Sequence, residues 1–177
     1  MQTPQEVFDG FSNDSKDELY PNYWFLKSLA RGKILEIGSH AGRSTSCFLL
    51  GLEKNGGHLY SVDIDNSWRD RFGGPLWTFI NKDSKYVEEV MSQVQAPLDI
   101  LLIDGDHTHP AVERDFYGYI PYVREGGVIL VHDINVAGPQ HLIDVCETYH
   151  KFLFETGYTH FELPGVCGMG VIYKGNQ

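Results

Sequence analysis

Cysteine is scarce in this 177-residue chain: Cys47, Cys146 and Cys167 are the only three, and none sits in CxxC spacing. An odd, unmotifed set excludes a disulfide framework or a zinc ribbon and points to reduced thiols in the cytoplasm. Long apolar runs are missing too. Nothing approaches the ~20 consecutive apolar residues of a membrane span, and the polar, acidic stretch 1–17 is unlike a signal peptide. Basic residues are few, 14 Lys and Arg against 24 Asp and Glu for a net charge of −10. They are scattered, whereas a phosphate backbone rewards clusters of them, so neither nucleic acid nor membrane is an expected partner. Repeats, low-complexity tracts and Pro/Ser-rich linkers are absent. The length suits one domain with a substantial core.

What is present is an alternation of strand and helix patterns. A helical segment around Tyr23–Ala30 lies within an N-terminal stretch, 1–30, whose aromatic residues suit a lid or a dimer contact. From 31 to 177 the order is strand 33–37, helix 43–53, strand 58–62, a polar loop 64–76 and strand 77–80. Helix 85–95, strand 98–103, helix 110–122, strand 128–131, helix 139–156 and strands 159–163 and 169–173 follow. Ser44 and Ser46 suit the start of the first long helix, and Gly56-Gly57 its end. Leu98-Asp99-Ile100-Leu101-Leu102-Ile103 is nearly continuous apolar sequence, as a central parallel strand covered on both faces requires. The connection through Pro164 and Gly165 is too short for a parallel crossover. The expected fold is α/β: a doubly wound, mostly parallel seven-stranded sheet whose last strand is antiparallel.

Two motif groups carry chemistry. The first is Lys33-Ile34-Leu35-Glu36-Ile37-Gly38-Ser39-His40-Ala41-Gly42-Arg43-Ser44, a buried strand breaking into a glycine turn that opens a helix. Glycine lets backbone approach a ligand closely and adopt positive φ, and such turns at the carboxyl edge of an α/β sheet bind nucleotide-like ligands. The spacing E-x-G-x-x-x-G matches neither the dinucleotide fingerprint nor a phosphate loop. An acidic residue before the turn repels phosphate but can meet a cation. Asp63 ends the next strand.

The second group is Asp104-Gly105-Asp106-His107-Thr108-His109 together with Val131-His132-Asp133. Both begin where buried strands end, so Asp104, Asp106, His107, His132 and Asp133 should converge beside the glycine loop. Carboxylates gathered there need a cation or protons between them. Mg²⁺ answers that need, and histidine in the shell also admits Mn²⁺, Fe²⁺ or Zn²⁺. More ordinary roles compete. Asp104 and Asp106 could cap the helix near Pro110, Asp115 would face solvent or support the loop, and Asp83 and Ser84 could cap helix 85–95. Trp68 and Trp77 could wall a ligand pocket or sit in the core.

These residues resemble the class I S-adenosylmethionine-dependent methyltransferases. Within them the D-G-D-H and G-G-V-I-x-x-H-D motifs resemble the metal-dependent O-methyltransferases of sugars and related natural products. The resemblance spans about residues 31–175. It implies that Gly38, Ser39, Gly42 and Ser44 wrap the amino-acid part of the cofactor, with Glu36 supporting the loop or the ammonium. It implies further that Asp63 holds the ribose, that Asp83 and Ser84 meet the adenine, and that Asp104 borders the cofactor. The metal would fall to Asp104, His132 and Asp133, with His132 departing from the acidic residue usual there, and His107 would be the general base. The expected acceptor is a small hydroxylated molecule, recognised by loops 64–76, 134–140 and 164–168; a homo-oligomer is possible. The competing expectations are a metal-independent methyltransferase, a non-catalytic cofactor-binding module and a metal-dependent hydrolase.

Overall fold

A computed structural model describes residues 2–135 and 140–175. The acceptor-recognition loop expected over 134–140 therefore falls, at 136–139, outside the described residues. Helices α1 (Pro4–Phe11) and α2 (Tyr23–Leu29) precede β1 (Gly32–Ile37), α3 (Arg43–Asn55), β2 (Gly57–Asp63) and β3 (Trp77–Asn81). Then come α4 (Val87–Met91), β4 (Leu98–Ile103), α5 (His109–Tyr119), β5 (Val123–His132), α6 (Gln140–Thr156), β6 (His160–Leu163) and β7 (Met169–Tyr173). The sheet runs β3-β2-β1-β4-β5-β7-β6. The first five strands pair in parallel, and β7 runs antiparallel to both neighbours. The doubly wound expectation, with its reversed final strand, describes this sheet.

Period-two alternation divides the core into two layers. Leu35, Ile37, Leu101, Ile103, Ile129 and Val131 face α5 and α6, packing with Val112, Phe116 and Tyr149. Ile34, Ile100, Leu102 and Leu130 face the other way, where they meet Phe48 and Leu52 of α3. That second layer also takes in Val7, Phe8, Tyr23 and Leu26, so the N-terminal helices share the core. Order reverses between β1 and β4, and the crevice outside the carboxyl ends of such strands is where ligands bind in open α/β sheets.

Several boundaries differ from expectation for local reasons. Helix α1 starts at a capping box in which Thr3 accepts from the Glu6 N–H at 3.2 Å and Glu6 accepts from the Thr3 N–H at 2.8 Å. Helix α3 is capped by Gly42 in the left-handed region, not by a serine side chain. Only five residues of the expected 85–95 helix are helical. There Ser92 Oγ and Gln93 Nε2 both donate to the Glu89 carbonyl, and such side-chain bonds compete with helix propagation. The start of that helix is Tyr86, without a side-chain cap, so Asp83 and Ser84 are not its N-cap. Strand β5 begins five residues earlier than the apolar run 128–131.

At the far end of the sheet, Lys174 Nζ donates to the carbonyls of Ile120, Pro121 and Val123 at 3.1, 3.2 and 2.5 Å. Lys174→Met should cost about 1–3 kcal/mol and lower the thermal midpoint by about 2–4 °C for each kcal/mol. An unchanged melting curve would show that water replaces the ammonium at no cost.

Candidate active site

The turn between β1 and α3 is shaped by what its glycines leave out. Gly38 has φ +85°, and a Cβ there would lie 1.9 Å from the Asp104 carbonyl oxygen. Only glycine lets the ends of β1 and β4 approach so closely. Gly42, φ +78°, would put a Cβ 2.6 Å from the Phe72 ring. Asp63, at the end of β2, holds the turn between them. Its Oδ2 accepts from the Ser39 and His40 N–H groups at 2.9 and 2.8 Å, and its Oδ1 accepts from the Asp65 N–H at 2.9 Å.

Glu36 lies beneath this loop, fully buried. Thr45 Oγ1 and Ser61 Oγ donate to its Oε2 at 2.7 and 2.6 Å, while Oε1 has no partner. Burial pushes the carboxyl from 4.5 up to about 7, against the pull of the surrounding hydroxyls. A raised folded-state value means that the stabilising contribution is full below the unfolded value and is lost as pH rises through about 7. Measured against Glu36→Gln in denaturant titrations, the native chain should lose about 3 kcal/mol between pH 4 and pH 8. A difference independent of pH would contradict this account of Glu36.

Two cavities meet at the loop. The first, of about 360 Å³, is lined by Asp63, Lys82, Asp83, Ser84 and Asp106, among others. The second, of about 270 Å³, is bordered by Glu18, Ser39, Arg43, Ser44, His107, His132 and Asp133. Gly38, His40, Asp104 and Gly105 line both. Asp83 Oδ1 accepts from the Lys85 N–H at 3.0 Å, and the Ser84 carbonyl is anchored by the Tyr119 hydroxyl at 2.6 Å. Neither Trp68 nor Trp77 borders the first cavity. Trp77 Nε1 instead donates to Ser61 Oγ at 3.0 Å, and the Arg71 guanidinium lies 4.5 Å from the Trp68 ring centroid.

The second cavity holds a carboxylate–histidine cluster at the ends of β4 and β5. His107 Nε2 is 3.0 Å from Asp133 Oδ2 and 3.8 Å from Asp104 Oδ1. His132 Nδ1 is 3.3 Å from both carboxylates, and its Nε2 is 3.4 Å from the Glu18 carbonyl. Burial works against charge on Asp104, yet the two histidines hold it down at about 2. Hydrogen bonding to the Asp104 carboxylate, which accepts, raises His107 above its usual range. His132 is raised well above it by Asp104 and Asp133, although burial opposes the shift. Among the described residues, one ligand atom each from Asp104, His107 and Asp133 fall within 4.8 Å of one another. That group holds His107 and not the expected His132, whose Nδ1 nonetheless lies 3.3 Å from both carboxylates.

Asp106 stands apart, on the first cavity, where its Oδ1 accepts from the Thr108 N–H at 2.9 Å. Asp115 is 1 % exposed, which overturns the solvent-facing expectation. It falls on the inward stripe of α5 with Ala111 and Tyr119, and its carboxyl sits under Gly105, where a Cβ would be only 3.2 Å away. Burial pushes it up to about 7. Glu18, His40, Arg43 and Lys82 also border these cavities, although no site signal in the sequence marks them. His40 and Arg43 lie inside the quoted loop, whereas only tertiary packing brings up Glu18.

A family model described as "Methyltransferase domain" matches residues 35–134. The O-methyltransferase from Bacillus cereus, solved in complex with S-adenosylhomocysteine, superposes with a TM-score of 0.70 at 19% identity, over 97% of this chain and 89% of its own. The MycE methyltransferase of the mycinamycin biosynthetic pathway, in complex with Mg, S-adenosylhomocysteine and mycinamycin VI, gives 0.69 at 19% identity, over 98% of this chain and 54% of its own. At such identities the structures show the shared fold. A curated relative from Sinorhizobium fredii, named uncharacterized protein y4gI, is 23% identical over 170 residues, covering 87% of this chain and 18% of the relative. The chain thus spans under a fifth of that relative's length.

Proposed function

The chain belongs to the methyltransferase domain family, and from that membership we propose that it is an S-adenosylmethionine-dependent O-methyltransferase. Its acceptor is a hydroxyl of a small molecule, a sugar or related natural product, and a divalent cation assists. One observation carries this reading: the two cavities share a wall at Gly38, Asp104 and Gly105, and His107, His132 and Asp133 of the cluster lie on one side of it only. One cavity suits a nucleoside-bearing methyl donor and the other a hydroxyl to be activated. No helix among the described residues is long and apolar enough to cross a membrane.

In the first cavity, Asp63 accepts from the ribose hydroxyls with lone pairs left over from its amide contacts. Asp83 and Ser84 face the adenine. Gly38 at the shared wall, with Ser39 and Ser44 on the second cavity's side of the loop, surrounds the amino-acid part, Gly42 keeps the turn open, and buried Glu36 braces the loop from below. In the second cavity, Asp104 and Asp133 would hold Mg²⁺, with nitrogen from His132 or His107 making Mn²⁺ acceptable as well. Such an ion supplies Lewis acidity that lowers the pKa of a bound hydroxyl. His107, in its neutral form, accepts the hydroxyl proton. The oxygen then attacks the methyl carbon in line, the carbon–sulfur bond breaks, and S-adenosylhomocysteine departs. Shared-wall positioning supplies much of the acceleration.

A metal-independent variant has its own support in the 3.0 Å contact of His107 with Asp133, since a base oriented by a carboxylate can work without a metal. Calorimetric titration with S-adenosylhomocysteine, once with Mg²⁺ and once with EDTA, tests both. Micromolar affinity with additional metal-dependent heat is the expected result. Affinity and turnover indifferent to EDTA would favour the metal-independent variant, and no binding in either condition would overturn the proposal.

A further inference from the structure

We propose that Glu18 selects the acceptor class: a hydroxylated compound carrying an ammonium group, such as an amino sugar or amino alcohol, in preference to an anionic one. This rests on the assignment of the second cavity to the acceptor. The turn before α2 is pinned against that cavity. The Asp17 carboxylate, 7 % exposed, accepts from the Leu19 N–H at 3.0 Å and pairs with Arg43 Nε at 3.1 Å. Leu19 is buried, and the Glu18 carbonyl lies 3.4 Å from His132 Nε2. The backbone at Glu18 is therefore held beside the carboxylate–histidine cluster, and Glu18 borders the cavity.

The charges around the cavity are otherwise committed. Asp104 and Asp133 contact the two histidines, and Arg43 contacts Asp17. The Glu18 carboxylate has no hydrogen bond or ion pair among the described residues. Glu18 stands exposed at the rim of the cavity. An acceptor placing a hydroxyl at His107 thus presents its flank to an unpaired carboxylate at a half-wet rim. An ammonium there gains a charge-assisted hydrogen bond, whereas a carboxylate or phosphate meets like charge.

Three catechols test the idea, because a vicinal hydroxyl pair reaches the same cluster while the substituent changes charge. Dopamine, 4-methylcatechol and 3,4-dihydroxybenzoate are titrated calorimetrically into the protein with S-adenosylhomocysteine and Mg²⁺ present. Dopamine should bind about tenfold more tightly than 3,4-dihydroxybenzoate, the size of one charge-assisted contact, with 4-methylcatechol between them. Glu18→Gln should bring the three within about twofold of one another and Glu18→Lys should invert the order. Affinity for S-adenosylhomocysteine should stay constant throughout. Absence of discrimination in the native chain, discrimination that survives Glu18→Gln, or failure of all three catechols to bind would each overturn the inference while leaving the methyltransferase reading in place. Failure of S-adenosylhomocysteine itself to bind would remove both.

Discussion

Replacing His107 with alanine is expected to lower turnover by about 10²–10⁴-fold, the range for loss of a positioned general base, while affinity for S-adenosylhomocysteine is unchanged. His107 borders the second cavity and not the first, so the nucleoside of the cofactor loses no contact. The same side chain stands among possible metal ligands, and the two roles separate in measurement. A base lost without a ligand leaves the calorimetric Mg²⁺ affinity intact and removes the low-pH limb of the kcat profile. A ligand lost weakens Mg²⁺ binding, and activity then returns as the metal is raised. Full residual turnover would remove His107 from the chemistry altogether.

Asp63→Ala should weaken S-adenosylhomocysteine by about 100-fold or more. Two effects combine there. The ribose loses a charged acceptor, worth about 1.5–3 kcal/mol, and the loop amides of Ser39 and His40 lose the oxygen that holds them. Each 1.4 kcal/mol is a factor of ten in affinity, so one charged contact plus a loosened loop reaches two decades. Asp63→Asn, keeping one acceptor oxygen but no charge, should fall between. The strands beneath are held by their own ladder, so far-ultraviolet circular dichroism of the folded chain should not change. Unaltered affinity in Asp63→Ala would sink the ribose assignment.

The features legible in the sequence were those written by periodicity and strand ends. Apolar runs at 34–37, 98–103 and 128–131 specified three central strands, because a strand covered on both faces admits few polar residues. The strand ends then announced Gly38, Asp63, Asp104 and Asp133 as neighbours, since a parallel sheet gathers its carboxyl ends along one edge. Other features depended on partners far along the chain. Asp115 reads as a solvent residue until α5 is docked and its carboxyl slides under Gly105. Glu18 sits in featureless polar sequence, and only the Asp17–Arg43 pair brings it to the cluster. The valines of 85–95 advertise a helix that Ser92 and Gln93 cut short by bonding to Glu89. The capping box at Thr3 and Glu6, by contrast, is written wholly in local sequence, as T-x-x-E.

The missing side chain at Gly38 has one more consequence. With no Cβ to hold them apart, the β1 turn lies directly on the Asp104 backbone, and Gly38 and Asp104 border both cavities. On the proposed reading, donor and acceptor would meet across that contact, and selectivity would reside in the few groups standing at the doorway.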